Sequence, residues 1–138
     1  LAIYDNRCMN FSRGKLNRAQ LFSFVNEQLK KTKYKRVVMY PEGTRLRYKT
    51  LQSPIEIKSK LRFGLLKSIY EKKMPVQIFI SSNKEFIMDE TTFIVRRNCN
   101  VNTALSKMID ANKYDDFDKY IDHICNVWFD LWKITHQE

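Results

Sequence analysis

The chain has 138 residues, of which 43% are apolar and 13% aromatic, and its formal net charge is +10. This length suits one domain with one core, and the apolar content excludes an intrinsically disordered protein. The chain contains only three glycines and three prolines, which excludes a Gly/Pro-rich linker. We therefore expect residues 1–138 to form a single domain.

The excess positive charge is confined to one part of the chain. Residues 30–73 contain fourteen Lys or Arg and three Glu, a net charge of +11, whereas the remaining residues sum to −1. Such a field favours an anionic partner, which is a phosphate, a nucleic acid or an acidic lipid surface. A solvated helix face that keeps the protein soluble explains the same charges without any partner.

Three cysteines are scattered along the chain, at Cys8, Cys99 and Cys125. An odd number without CxxC spacing argues against a disulfide framework or a zinc site. We expect reduced thiols in a domain that faces the cytosol, and no metal ion or bound cofactor is indicated.

The first half of the chain predicts two strands and two helices. Residues 1–4 are predicted to form a short strand, and apolar residues at every fourth position predict a helix over residues 18–31. Residues 37–40 (V-V-M-Y) are typical of a short buried strand. A serine cap, a proline and a glutamate at residues 53–56 begin a helix that the apolar spacing extends to residue 72. Gly64 inside it costs about 1 kcal/mol relative to alanine, which indicates close packing or an interruption.

The second half predicts further strands and one long helix. Residues 75–80 (P-V-Q-I-F-I) are a clear strand, and residues 85–88 and 92–96 are weaker strand candidates. Residues 103–110 are predicted to form a short helix. Residues 115–135 predict a long helix with acidic residues in its first turn and one apolar stripe. The tryptophans of that stripe belong in the core or at a bilayer interface.

This order of elements predicts an α/β fold with a mixed, partly parallel sheet flanked by helices. Ligands of such sheets gather at the carboxyl ends of strands. The sequence P-E-G-T-R at residues 41–45 directly follows the predicted strand at residues 37–40, which makes it the candidate binding site.

The residue types of this motif suit a phosphate and a hydroxyl. Pro41 helps to end a strand, and Gly43 permits a close approach of the backbone. Thr44 offers a hydroxyl, and the planar guanidinium of Arg45 can bind a phosphate through two hydrogen bonds. Glu42 can accept a hydrogen bond from Arg45, from a ligand hydroxyl or from a backbone donor. The alternative is a tight turn with a surface Glu–Arg pair, worth about 0–1 kcal/mol.

Residues 40–45, Y-P-E-G-T-R, resemble the F-P-E-G-T-R signature of the glycerophospholipid acyltransferases, the lysophosphatidate acyltransferase family. Residues 73–80, K-M-P-V-Q-I-F-I, resemble a later block of that family, in which an apolar residue precedes Pro-Val. Residues 3–7, I-Y-D-N-R, loosely resemble an earlier block that ends in F-I-D-R. Residues 128–133, W-F-D-L-W-K, are similar to the tryptophan-bearing tail of some eukaryotic members.

The resemblance implies a glycerol-3-phosphate-acyltransferase-like fold and transfer of an acyl group from acyl-CoA to a lysophospholipid. The reaction that it implies most directly is the conversion of lysophosphatidate to phosphatidate. It also implies a membrane-associated enzyme of the endoplasmic reticulum whose active domain faces the cytosol. Acyl-CoA is then a co-substrate, the membrane surface is a partner, and no cofactor is needed. The substrate-binding residues carried over from the family are Arg7 and Arg45 for the phosphate, Glu42, Gly43 and Thr44 for the acceptor pocket, and Pro75 in the later block.

The catalytic pair of the family is not found in this chain. Family members remove the acceptor proton with the histidine of an H-x-x-x-x-D motif upstream of the other blocks. Trp128 stands five residues after His123, and His136 is two residues from the end, so neither histidine fits. Because the chain begins at Leu1 inside an apolar stretch, we expect a missing N-terminal part to carry the motif. We therefore expect this chain alone to be inactive. A degenerate, inactive relative is the alternative.

Two binding modules compete with this interpretation. A basic nucleic-acid-binding domain accounts for the charge of residues 30–73, but no RNP-like run, zinc spacing or basic-zipper heptad is present, and we expect no nucleic acid. A non-catalytic lipid-binding domain would use the same basic residues together with exposed tryptophans.

Overall fold

The computed structural model describes residues 18–31, 38–41, 52–83, 87, 92 and 94–136. The chain divides into two compact units, Leu1–Tyr40 and Pro41–Glu138. The expectation that residues 1–138 form one domain stays a prediction. In the part of the chain that is described, no helix has the length and apolar character needed to cross a bilayer.

The first unit contains helix α1, Arg18–Lys31, which has the bounds that its apolar spacing predicts. Val25 is buried, and Lys31 pairs with Glu27 one turn earlier, an interaction that lowers the pKa of the Glu27 carboxyl. Residues 38–40 do not lie in a strand, so the prediction of a buried strand is wrong for them. A β-rich run becomes a strand only where another strand pairs with it, and none pairs with these residues among those described.

The helix predicted over residues 54–72 is divided into α2, Pro54–Lys60, and α3, Phe63–Glu71. Leu61 and Arg62 between them have extended backbone conformations, with ψ angles of 143° and 102°. The interruption lies before Gly64, which falls in the first turn of α3. The predicted proline stands at the start of α2, but the prediction of a serine cap is wrong, because the Ser53 side chain makes no capping hydrogen bond. Glu56 accepts a hydrogen bond from the backbone N–H of Gln52 at 3.3 Å instead.

Helix α3 ends in a Schellman motif. The N–H of Met74 donates to the carbonyl of Ile69 at 3.1 Å, and that of Lys73 donates to the carbonyl of Tyr70 at 3.0 Å. Lys73 has a left-handed φ of 52°, a conformation that glycine usually adopts at this position. The Lys73 ammonium lies 4.3 Å from the centre of the Tyr70 ring, and this cation–π contact helps to stabilise Lys73 in its left-handed conformation.

Two short antiparallel strands follow, β1, Phe79–Ser81, and β2, Thr103–Leu105. Phe79 pairs with Leu105, and an isolated bridge joins Val76 to Ile109, so three residues of the second strand face two of the first. This is a β-bulge, and Ser106 completes it. The Ser106 hydroxyl accepts the N–H of Ile78 at 2.9 Å, in the place of a backbone carbonyl.

The pairing revises the predictions for this region. Residues 103–105 and 109 form strand pairs, so the helix predicted over residues 103–110 is wrong. The backbone groups that a helix would use bond across the sheet instead. The strand predicted at residues 75–80 is present as a bridge at Val76 and the start of β1. The larger, partly parallel sheet stays a prediction.

Helix α4, Phe117–His136, confirms the long helix predicted near residues 115–135. Helices α2 and α3 and both strands pack against it. Trp128 is 9% exposed and belongs to the core. At the end of the helix, the Thr135 carbonyl accepts hydrogen bonds from the Ser82 hydroxyl at 2.7 Å and from the Asn102 amide at 3.2 Å. The buried side chains of α4 are Tyr120, Ile121, Ile124, Cys125, Trp128, Leu131 and Thr135.

We expect Ile57→Ala to lower the free energy of unfolding by about 2–5 kcal/mol, because this side chain is 0% exposed and its removal leaves a cavity. Urea denaturation followed by circular dichroism measures the change. Ile55→Ala, in the same helix at a position that is 76% exposed, is the matched control and should change it by less than about 0.5 kcal/mol. Equal losses in the two variants would contradict the packing of α2.

We expect Ser106→Ala to cost about 1–3 kcal/mol, because the buried N–H of Ile78 then has no acceptor. The same denaturation experiment measures it. Ser59→Ala removes an exposed hydroxyl in α2 that bonds to the Glu56 carbonyl and should be nearly neutral. A neutral result for Ser106→Ala would mean that its hydroxyl does not support the bulge.

Candidate functional site

The motif P-E-G-T-R begins at the junction of α2 and α3. The carbonyl of Pro41 accepts a hydrogen bond from the backbone N–H of Arg62 at 2.9 Å. This N–H is available because the helix is interrupted at Leu61 and Arg62. The junction rests on the core through Ile57 and Leu61, which are 0% and 7% exposed, so the first residue of the motif is attached to a rigid support.

The other predicted substrate-binding residues of the motif, and Arg7 of the earlier block, lie outside the described part of the chain, so their predicted roles stay predictions. These residues are Arg7, Glu42, Gly43, Thr44 and Arg45.

Pro75 is described and is exposed. It lies between the Schellman motif of α3 and Val76, whose N–H donates to the carbonyl of Ile109 at 3.0 Å. Its ring has no polar group and fixes its own φ, so Pro75 can set the direction of the chain at the start of the strand pair. Its assignment to the acyl-donor side stays a prediction.

Three exposed cations lie in α2, the junction and α3, namely Lys60, Arg62 and Lys67. Among the described residues, none forms an ion pair with any of them. Lys58 differs, because its ammonium donates to Asp122 of α4 at 2.6 Å, and this hydrogen bond raises the pKa of Lys58. One cation of α2 thus ties the helix to α4, and its neighbours face solvent.

A groove of about 660 Å³ lies between α2 and α4. The Lys58–Asp122 ion pair belongs to its wall, together with Ile55 and Cys125. Burial raises the pKa of the Cys125 thiol to about 11, so the thiol is neutral at pH 7. A neutral thiol is a poor nucleophile, and Cys125 is therefore not a candidate for covalent catalysis.

The two histidines make contacts typical of structural residues. His123 is exposed, and its ring lies against Tyr114 with the centroids 5.4 Å apart. His136 stacks on Trp132 at 4.7 Å, and its Nδ1 lies 3.0 Å from both the Thr135 hydroxyl and the Trp132 carbonyl. Within the described ranges, no carboxylate is hydrogen-bonded to either ring, so these residues assemble no His–Asp pair.

An aromatic cluster that the sequence analysis missed joins α3 to the start of α4. Tyr120 is 0% exposed and lies 5.2 Å from the Tyr70 ring and 5.6 Å from the Tyr114 ring. Tyr70 donates to the carbonyl of Tyr114 at 2.8 Å, whereas the Tyr120 hydroxyl has no hydrogen-bond partner in the described part of the chain. Burial raises the pKa of Tyr120 to about 12. The recurrence of aromatic residues at every third position, 114, 117 and 120, is the feature of the sequence that could have indicated this cluster.

We expect Tyr120→Phe to raise the free energy of unfolding at pH 7 by about 1 kcal/mol, because it removes a buried hydroxyl without a partner. Tyr70→Phe is the matched control and should lower it by about 1 kcal/mol, because its hydroxyl is bonded.

The same variant should alter the pH dependence. The folded state favours the neutral phenol of Tyr120. The stability that depends on this neutral form is complete below the ordinary pKa of 10.0 and is lost as the pH rises toward 12. Denaturation between pH 9 and 12 should show a shallower loss of stability in Tyr120→Phe than in the wild type. Identical alkaline curves would contradict the burial of this hydroxyl.

Comparisons of this chain with known proteins give no relative. No family model, no curated protein and no solved structure matches it. The P-E-G-T-R motif and the surroundings of Pro41 are therefore the basis for assigning a function.

Proposed function

We propose that this chain is the acceptor-binding part of a glycerophospholipid acyltransferase, which transfers an acyl group from acyl-CoA to a lysophospholipid, most directly lysophosphatidate. The observation that carries the proposal is the sequence P-E-G-T-R at residues 41–45, which agrees with the family signature at five consecutive positions. The segments at residues 3–7 and 73–80 support it, because they stand in the same order as the family blocks that they resemble.

In the proposed reaction, the free hydroxyl of the acceptor attacks the thioester carbonyl of acyl-CoA. A C–O ester bond forms, the C–S bond breaks, and CoA leaves as the thiol. Arg45 and Arg7 bind the phosphate, and Glu42, Gly43 and Thr44 shape the pocket that holds the acceptor. The histidine of an upstream H-x-x-x-x-D motif takes the hydroxyl proton and passes it to the leaving sulfur, so the role of this chain is binding and orientation.

The surroundings of the motif support binding of a phosphate monoester. The hydrogen bond from the Arg62 N–H to the Pro41 carbonyl attaches the motif to a junction that the buried Leu61 anchors in the core, and a rigid support makes the placement of binding groups more accurate. The exposed cations at Lys60, Arg62 and Lys67 add a positive potential that attracts a phosphate. Acyl-CoA is the co-substrate, and the proposed location is the cytosolic face of the endoplasmic reticulum.

A non-catalytic basic domain that binds lipid or nucleic acid is the second candidate. The observation that favours it is the net charge of +11 over residues 30–73, which needs no catalysis to explain it. Such a domain would bind anions without releasing CoA.

The test is to express the product of the complete gene in membranes and to measure CoA release from oleoyl-CoA with lysophosphatidate as acceptor. We expect Arg45→Ala to lower kcat/KM by roughly 100-fold, because it removes a charge-assisted, two-bond contact with the phosphate. Arg45→Lys keeps the charge but loses the planar guanidinium, so its kcat/KM should lie between those of the wild type and of Arg45→Ala.

Arg97→Ala removes an exposed arginine outside the motif and is the control, with kcat/KM close to that of the wild type. Residues 1–138 alone should give no turnover. No CoA release by the complete product, or an Arg45→Ala variant as active as the wild type, would contradict the proposed function.

A further inference from the structure

We propose that the free edge of strand β1 is a dimerisation surface, to which the β1 of a second copy of this chain binds in antiparallel orientation. The strand pair β1–β2 then forms half of a sheet that continues across two copies. The contact between the two β1 strands is here called the seam. The inference concerns self-association and does not depend on the proposed function.

The backbone groups on one side of β1 have no partner in the part of the chain that is described. The N–H of Ser82 donates to the carbonyl of Asn102 on the facing segment at 2.9 Å. Alternate residues of an antiparallel strand direct their backbone groups to opposite sides, so the even-numbered residues bond toward β2. The odd-numbered residues direct theirs to the free edge, where no described backbone group bonds to them. These residues are Gln77, Phe79 and Ser81.

This edge lacks the features that usually prevent strand edges from pairing with other chains. Natural edge strands are often protected by a lysine, a proline or a bulge. Residues 76–82, V-Q-I-F-I-S-S, contain none of these protecting residues and no charge, and they are rich in β-branched and aromatic types. Strand β2 is protected, because the bulge at Ser106 and the exposed Lys107 follow it directly. The edge of β1 is therefore the one that a further strand can join.

A second copy is the partner that this edge fits, because the edge is self-complementary. A two-fold axis beside Phe79 places this residue opposite Phe79 of the second copy and Gln77 opposite Ser81 of that copy. Each of these facing pairs exchanges both N–H···O=C bonds, so every outward group of the two strands gains a partner.

The side chains add to the backbone bonds. Ile78 and Ile80 are buried on the face of the strand pair that packs on α4, whereas Phe79 is 64% exposed on the opposite face. The two-fold axis brings the Phe79 rings of both copies side by side on this exposed face. Facing aromatic residues on neighbouring strands stabilise a sheet, and the contact removes apolar surface from water.

The charge of the chain makes the expected dependence on salt distinctive. Two copies with a net charge of +10 each repel one another, while residues 76–82 contribute no charge to the seam. Salt screens this repulsion, so the dimer should be stronger in about 0.5 M than in about 0.05 M sodium chloride. Binding to a nucleic acid has the opposite dependence on salt.

The experiment measures the oligomeric state of the 138-residue chain by sedimentation velocity. About six backbone hydrogen bonds of ordinary net strength correspond to a dissociation constant on the order of 10–100 µM. Chain concentrations from about 5 to about 500 µM bracket this value. We expect a monomer at the lower end of the range and mainly a dimer at the upper end.

Two variants with the same change in net charge locate the seam. Phe79→Lys places two ammonium groups opposite each other at the seam and should raise the dissociation constant at least roughly ten-fold. Leu105→Lys is the matched control, because Leu105 is 60% exposed and lies opposite Phe79 on β2, away from the seam. It should change the dissociation constant by less than about three-fold, since the exposed charges are then far apart and screened. Circular dichroism of each variant verifies folding.

A cross-link tests the alignment independently of these variants. The proposed two-fold axis places the Cα atoms of residue 79 in the two copies about 5.5 Å apart, within the range of a disulfide. We expect Phe79→Cys to form a disulfide-linked dimer on oxidation. The wild type gives the background from the native thiols, and Leu105→Cys should not exceed that background.

A wild-type chain that stays monomeric up to about 500 µM would overturn the proposal. Equal dissociation by Phe79→Lys and Leu105→Lys would overturn it in favour of two sheets stacked through their exposed faces. Assemblies larger than a dimer would also overturn it, because the two-fold arrangement leaves no β1 edge free. Selective dissociation by Phe79→Lys, together with a cross-link at residue 79 above background, would support the seam.

Discussion

The apolar stripe of α4 is the contact on which the arrangement of the second unit depends. Helix α2 packs on it through Ile57, α3 is joined to it by the aromatic cluster around Tyr120, and the strand pair is tied to its last turn at Thr135. Packing of α2 on this stripe leaves Lys60 and Arg62 in solvent. The position of the basic residues is therefore a consequence of burying apolar surface elsewhere in the same short helix.

Helices whose apolar residues recur at helical spacing within one segment could be predicted from the sequence. Elements that depend on hydrogen bonds to distant residues could not. Helices α1 and α4 carry their packing face within one segment. The helix expected at residues 103–110 fails because its residues pair with residues 22 to 33 positions earlier in the chain, from Thr103 with Ser81 to Ile109 with Val76. The interruption at Arg62 likewise accompanies a hydrogen bond to Pro41, about 20 positions away. The spacing of apolar residues within a segment does not indicate which distant residues its backbone will bond to, so neither partner could be predicted.

The candidate site divides in the same way. The prediction of a phosphate site in P-E-G-T-R comes from residue types alone, because a guanidinium is suited to a phosphate whatever fold presents it. The hydrogen bond from Arg62 to the motif could not be predicted, because its backbone N–H is free to bond to Pro41 only when the helix is interrupted. The charge count over residues 30–73 also hides a distinction that the structure reveals, because Lys58 bonds to Asp122 while Lys60 remains in solvent.

The bulge at Ser106 has a consequence for how freely the chain can vary in sequence. A shift of one residue in a strand pair would turn the buried Ile78 and Ile80 outward. The Ser106 hydroxyl opposes such a shift, because it supplies the acceptor for Ile78 in one alignment only. Alignment is thus fixed at the far end of the strands from the connection between Ser82 and Asn102. A change in the length of that connection should therefore leave the same faces of the strands against α4.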